Sequence, residues 1–217
     1  MKIAVLGTGN VGDTIGSKLV ELGHTVMMGS RTADNEKAAA FAGKFPGKSF
    51  AGTFADAAEY GEIIFNCTAG TASLDALKMA GEKNLNGKIV IDLANPLDFS
   101  KGMPPSLSIC NTHSLGEEIQ NEFPQARVVK TLNTMWCGLM VNPGLIHGGD
   151  HQAFMCGNDT QAKESARKIL NSFGWADKNI MDLGDITKAR GTEMYLPIWL
   201  SIYGTTKSGA FNIKIVS

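Results

Sequence analysis

The chain has 217 residues, 43% of them hydrophobic, and a formal net charge of -1. That length and apolar content suit one full α/β domain with an added subdomain. The near-neutral balance, with no long run of one sign, excludes the basic face that a nucleic-acid partner requires.

Four cysteines, Cys67, Cys110, Cys137 and Cys156, form no C-x-x-C pair and share no ligand spacing with a histidine cluster. Reduced thiols, no metal and a cytoplasmic compartment are the expectation. Lys2–Leu6 is too short for a signal-peptide core and runs straight into glycines. Met194 to Tyr203, the most apolar later stretch, contains Pro197 and is about half the roughly 20 residues a membrane span needs. A soluble protein with no membrane partner is expected.

Short apolar runs alternate with helical patterns, which predicts β-α-β units and a mainly parallel sheet. Strands are predicted at Lys2–Leu6, Thr25–Met28, Ser49–Ala51, Ile63–Cys67, Ile89–Asp92 and Arg127–Lys130. Between them, Asn10–Leu22 places Val11, Ile15, Leu19 and Leu22 on one helical stripe, and Gly23 stops it. Further helices are predicted over about Ala33–Lys44, Ala72–Gly81 and His113–Glu122, the last closed by Pro124. Asn133–His147, with Trp136 and Pro143, reads as a long functional loop. Then follow a strand at Ala153–Cys156, a helix at Thr160–Phe173 capped by Asp159 or Thr160, and a strand at Asn179–Leu183. A last helix over Thr187 to about Gly204 is expected to bend at Pro197. The whole reads as a doubly wound Rossmann domain over residues 1–148, with helices on both faces. A small α+β lobe over residues 149–217 follows, with no flexible linker between them.

The first motif with chemistry is Gly7-Thr8-Gly9-Asn10-Val11-Gly12. It follows an apolar strand and opens an amphipathic helix, the context that gives a G-x-G-x-x-G run its meaning. Gly7 allows the turn out of the strand, and Gly9 lets a pyrophosphate approach the backbone. Gly12, with Gly16, brings the helix close to the sheet. Free N–H groups at the helix start then face the phosphates. At the end of the second strand an NAD site would normally place an acid. Here the chain reads Gly29-Ser30-Arg31-Thr32, a guanidinium between two hydroxyls, the groups that hold a 2′-phosphate. The expected cofactor is therefore NADP(H). Open α/β sheets bind ligands beyond the C-terminal ends of their strands. Cys67-Thr68-Ala69-Gly70, Ala94-Asn95-Pro96 and the loop carrying Asn133 are therefore expected around the ribose and the nicotinamide.

These motifs resemble those of the NADPH-dependent reductases of coenzyme F420, a deazaflavin. The reductase domain of the six-transmembrane metalloreductases is similar. The resemblance also rests on Val129-Lys130-Thr131-Leu132-Asn133-Thr134, on Cys156-Gly157-Asn158-Asp159, and on Leu196-Pro197 followed by Asn212-Ile213-Lys214. It implies NADPH at the glycine motif and at Ser30, Arg31 and Thr32, with a flavin-like ring stacked on the nicotinamide below a C-terminal lobe. Two departures fall in that cleft. Asn133-Thr134-Met135-Trp136 stands where the archaeal enzymes have His-Thr-Ile-Pro. Thr68-Ala69-Gly70 stands where they have a proline and an aromatic. The metalloreductase domains, which pass hydride to a flavin, are closer at Asn133.

Hydride transfer to a flavin asks little of side chains, whereas reducing a carbonyl needs a proton donor. His24, His113, His147, His151, Tyr195, Tyr203 and Lys130 form no clear Ser/Tyr/Lys set or His–carboxylate pair in the sequence. Met135 and Trp136 suit an apolar wall. Three readings follow. The first is hydride transfer between NADP(H) and FMN, FAD or coenzyme F420. The second is an NADPH-dependent imine or carbonyl reductase. The third is a non-enzymatic NADP(H)-sensing module. A homodimer is expected.

Overall fold

A computed structural model describes residues 1–216. In chain order the elements are β1 (Lys2–Leu6), α1 (Asn10–Glu21), β2 (Thr25–Ser30), α2 (Glu36–Lys44), β3 (Ser49–Thr53), α3 (Phe54–Tyr60) and β4 (Ile63–Asn66). Next come α4 (Gly70–Ala80), α5 (Glu82–Leu85), β5 (Ile89–Asp92), β6 (Leu97–Asp98), β7 (Ser106–Leu107), α6 (Leu115–Glu122) and β8 (Arg127–Thr131). The chain ends with α7 (Cys137–Val141), β9 (Ala153–Cys156), α8 (Thr160–Ser172), β10 (Ile180–Asp182), α9 (Ala189–Met194) and α10 (Leu196–Thr206).

Eight strands form one sheet in the order β10-β9-β8-β5-β4-β1-β2-β3. From β3 to β8 every pairing is parallel, so the six N-terminal strands of the sheet have the doubly wound Rossmann order. β9 joins β8 antiparallel, and β10 runs parallel to β9. The residues after 148 thus extend the same sheet. The pair β6–β7 is a separate antiparallel hairpin.

Alternation along the strands builds two cores. On one face Ile3, Val5, Phe65, Ile91 and Val129 meet α1, α2, α7 and α8. On the other, Ala4, Leu6, Ile64, Val90 and Val128 meet α3, α4, α6 and α9. Both faces of the parallel strands are covered, which is why each reads as a continuous apolar run.

Several expected boundaries move. β2 continues past Met28, because Gly29 and Ser30 pair with Gly52 and Thr53. The second helix begins at Glu36, capped by Asn35, whose side chain accepts from Ala38 N at 3.0 Å. α4 begins at Gly70 rather than Ala72. The expected loop after Asn133 holds α7, anchored by Trp175 Nε1 donating to Met140 O at 2.9 Å. The last helix divides at Tyr195 into α9 and α10. Gly16 lies where α1 meets both α2 and the sheet: a Cβ there would meet the Phe41 ring of α2 at 2.8 Å and the Met28 side chain of β2 at 3.7 Å.

Candidate functional site

The strand order reverses between β1 and β4, and a cleft opens beyond their C-terminal ends. One part, about 640 Å³, is lined by Gly7, Thr8, Gly9, Ser30, Arg31, Thr32, Asn35, Phe54, Cys67, Thr68, Ala69, Ala72, Asp75, Ala76 and Met79. A second part, about 240 Å³, shares Cys67, Thr68 and Ala69 and continues along Val11, Leu93, Ala94, Asn95, Leu97 and Phe99.

Gly7 holds the first turn. Its φ of +112° belongs to glycine, and a Cβ would lie 2.6 Å from the Cys67 carbonyl oxygen. Its N–H donates to Gly29 O at 3.0 Å, which ties the glycine loop to the end of β2. Gly9 is the N-terminal cap of α1 without a side-chain cap bond, and a Cβ there would meet nothing within 4 Å. The first N–H groups of α1 are thus free to hold an anion. Gly70 closes the opposite wall, because a Cβ on it would overlap the Asn95 carbonyl oxygen.

At the far end of the larger part, Arg31 and Thr32 are exposed, while Ser30 is buried. The Ser30 hydroxyl donates to Thr32 O at 2.5 Å. Its proton is therefore committed to the turn, and it offers the cleft an acceptor only. The free donors here are the Arg31 guanidinium and the Thr32 hydroxyl. Arg31 has no ion-pair partner among the described residues.

Of the residues singled out from the sequence, Gly7, Thr8, Gly9, Ser30, Arg31, Thr32, Cys67, Thr68 and Ala69 line the larger part. Val11, Ala94 and Asn95 line the smaller. Asn10 and Gly12 lie on the first turn of α1, and Pro96 is buried behind the wall. Asn133 reaches the site through Asn95. Its Nδ2 donates to Asn95 Oδ1 at 2.9 Å, and Asn95 Nδ2 donates to Asn133 O at 2.8 Å. Leu132, with φ of +60°, turns the chain between β8 and this pair. Asn35, Asp75 and Met79 also line the cleft. Sequence reading passed over them because nothing local distinguishes them from helix-surface residues.

The candidate proton carriers lie elsewhere. His113 sits half-exposed, 3.9 Å from Glu117 and 3.7 Å from Glu118. His151 is buried, with Nε2 2.9 Å from Pro143 O and Nδ1 accepting from Asn212 Nδ2 at 2.8 Å. It fastens the C-terminal segment. His24 is partly buried, and burial pulls its pKa below the usual value. Tyr203 stacks on Trp199, with ring centroids 5.4 Å apart. Burial and then the Asp92 carboxylate push the Cys67 thiol up, and Cys156 rises to about 12, chiefly by burial. Both stay protonated at neutral pH. Tyr195 lines a separate cavity of about 230 Å³ with Thr134, Phe154, Leu183, Gly191, Thr192 and Ile213. The buried Thr134 hydroxyl has no hydrogen-bond partner among the described residues.

Lys130 is fully buried. It contacts Asp92 and Glu193, both at 2.8 Å, and also donates to the Ala94 carbonyl. Burial lowers its pKa, but the two carboxylates outweigh that and raise it overall.

Comparison with known proteins agrees with this geometry. The family model described as NADP oxidoreductase, coenzyme F420-dependent, matches residues 2–96. A crystal structure from Arthrobacter sp. FB24, described as a candidate F420-dependent NADP-reductase, is 48% identical with a TM-score of 0.93, and each chain is covered in full. The metalloreductase STEAP3 of Rattus norvegicus is 27% identical over 91% of this chain, which spans only 38% of that protein. A reductive aminase from Aspergillus terreus, solved with NADPH and ethyl levulinate, shares the fold at 18% identity and a TM-score of 0.66. That match covers 95% of this chain and 62% of the aminase. No helix among the described residues is long and apolar enough to cross a membrane.

Proposed function

Because the chain belongs to the coenzyme F420-dependent NADP oxidoreductase family, we propose that it binds NADP(H) in this cleft and works with a flavin- or deazaflavin-type hydride acceptor. The residues fit a dinucleotide phosphate. Free N–H groups open α1, a Cβ-free approach exists at Gly9, and an unpaired guanidinium stands at the end of β2. When bound, NADP(H) supplies the hydride. The protein supplies proximity, orientation and exclusion of water.

The observation that carries the choice of acceptor is the lining of the smaller part of the cleft. Val11, Leu93, Ala94, Leu97 and Phe99 are apolar, Thr68 and Thr71 add hydroxyls, and Asn95 and Asn133 each give one amide N–H to the other; no carboxyl, imidazole, ammonium or phenol is among the described residues that line it. A developing alkoxide needs a proton from a positioned side chain. A flavin-type ring delocalises the incoming charge within itself and needs only a flat apolar wall. Trp136, expected from the sequence as part of such a wall, lines neither part of the cleft; its ring lies against Gly138 and Gly209.

A second reading, reduction of a small imine or carbonyl compound, is favoured by one feature. The cavity beside Asn133 carries the unpartnered Thr134 hydroxyl and the Tyr195 side chain. The test follows NADPH absorbance with FMN, FAD, coenzyme F420 and ferric chelates in turn, then with small imines and ketones. Turnover restricted to the tricyclic acceptors supports the first reading. Turnover restricted to imines or ketones replaces it with the second. Tight NADPH binding with no turnover of any acceptor points to an NADP(H)-sensing module.

A further inference from the structure

Polar side chains cross the sheet just below the cleft. Asn66, Asp92 and Lys130 stand side by side at the ends of β4, β5 and β8, all at most 1% exposed. Their hydrogen bonds leave each group one orientation. The ammonium of Lys130 has three protons. They go to Asp92 Oδ2, to Glu193 Oε1 and to the Ala94 carbonyl. Glu193 is held in turn by Leu115 N at 2.8 Å and Gly116 N at 3.0 Å, at the start of α6. Asp92, ionised beside the ammonium, can only accept. Its Oδ1 takes Asn66 Nδ2 at 2.8 Å and Ala94 N at 3.2 Å.

This decides the Asn66 amide. Turned over, it would aim its carbonyl oxygen at a carboxylate. As it stands, Asn66 Nδ2 also donates to Ser73 Oγ at 3.1 Å, and Asn66 Oδ1 accepts from Thr68 Oγ1 at 2.7 Å. Thr68 therefore gives its proton inward. Ser73 Oγ, already an acceptor from Asn66, has two acceptors for its own proton, Thr68 Oγ1 at 2.7 Å and the Ala69 carbonyl at 3.4 Å, and the shorter contact is the better bond. One lone pair is all the Thr68 hydroxyl has left for the cleft, and Thr68 borders both of its parts.

We propose that Lys130 is a positioning residue that, through Asp92 and Asn66, sets Thr68 as an obligate hydrogen-bond acceptor for a hydroxyl or amide N–H on the nicotinamide half of the bound dinucleotide. This rests on the NADP(H) reading above. It adds that the central threonine discriminates the ring half, and that its polarity is dictated by an ammonium that touches no ligand.

The test titrates the full chain with two probes, NADPH and adenosine 2′,5′-bisphosphate, which has the adenosine end but no nicotinamide. Thr68→Val removes the acceptor in nearly the same shape. It is expected to weaken NADPH by about tenfold, the upper range for one neutral hydrogen bond. The bisphosphate should change less than about twofold, and Thr68→Ser should restore NADPH binding. Lys130→Met should weaken NADPH similarly, and adding Thr68→Val to it should cost no further affinity, because both act at one hydroxyl. If Lys130→Met does not fold, Asn66→Ala releases the Thr68 proton and takes its place. An unchanged NADPH affinity in Thr68→Val overturns the proposal, as do equal losses for both probes or full additivity in the double variant. A wild-type chain that binds neither probe overturns the NADP(H) reading itself.

Discussion

Arg31 is the sharpest handle on cofactor choice. It is exposed at the edge of the cleft, and the neighbouring Ser30 proton is committed to Thr32 O. Discrimination for a 2′-phosphate therefore falls mainly on the guanidinium. A hydrogen bond to a charged group contributes about 1.5–3 kcal/mol. Solvent screening at an exposed site favours the lower end, which is about tenfold in affinity. The wild-type chain is expected to bind NADPH at least about tenfold more tightly than NADH at low salt. In Arg31→Ala most of that gap closes by loss of NADPH affinity, with NADH nearly unchanged. Thermal stability should not move, because the side chain is exposed and unpaired. Raising the ionic strength from about 0.05 to 0.5 M should narrow the wild-type gap, since the Debye length shrinks from beyond 10 Å to a few ångströms. Fluorescence or calorimetric titration of both cofactors at both salts reads every term. Equal wild-type dissociation constants, or a gap that survives Arg31→Ala, would refute the reasoning.

Other perturbations test other parts of the fold. Gly7→Ala forces a side chain into a φ of +112° and against the Cys67 carbonyl. Strain of about 1–3 kcal/mol is expected, a fall in Tm of roughly 2–12 °C at this chain length, together with weaker NADPH binding; calorimetry showing an unchanged Tm would contradict it. Lys130→Met leaves Asp92 and Glu193 buried without their cation. A loss of about 3–5 kcal/mol corresponds to a Tm drop of about 6–20 °C, read by circular dichroism melts. Glu117 is held below its ordinary pKa of 4.5 first by its hydrogen bond from Arg190, with burial opposing and Ser114 assisting. A depressed carboxylate contributes stability above its unfolded value and loses it as the pH falls through the lowered one. Urea midpoints of wild type and Glu117→Gln should therefore differ at pH 7, and the difference should begin to shrink near pH 4.5 and vanish only below the lowered folded-state value. A constant difference would assign the effect to packing.

The parallel strands were legible because each is an apolar run buried on both faces. What escaped was short or small. β2 runs on through Gly29 and Ser30, where a Cβ on Gly29 would meet Ala57 of α3 at 2.9 Å, so its end lacks the bulky residues that mark a strand. α3 has seven residues, too few to show a period, although Thr53-x-x-Asp56 is a capping box that could have announced it. α7 is shorter still and lies between Trp136 and Pro143. At the site, the glycine motif and Arg31 carry local signals. The roles of Lys130 and Asn133 do not. Lys130 ends a predicted strand with nothing local to mark its role, and its partners come from β5 and α9, 38 and 63 residues away. Only the cross-strand register brings them together.

That register also says what the buried charges are for. One layer down the same face, Ala4, Ile64, Val90 and Val128 form an apolar row across β1, β4, β5 and β8. Two residues nearer the cleft the row becomes Leu6, Asn66, Asp92 and Lys130. Stability does not explain the change, because replacing a buried ion pair or triad by apolar groups of like volume is often neutral or stabilising by about 1–4 kcal/mol. An apolar row would fill the space equally well. With apolar residues at positions 92 and 130 alone, the Asn66 amide would be free to turn, and with it the proton of Thr68. A buried ammonium between two carboxylates removes that freedom, and it does so at the layer where the sheet meets the cleft.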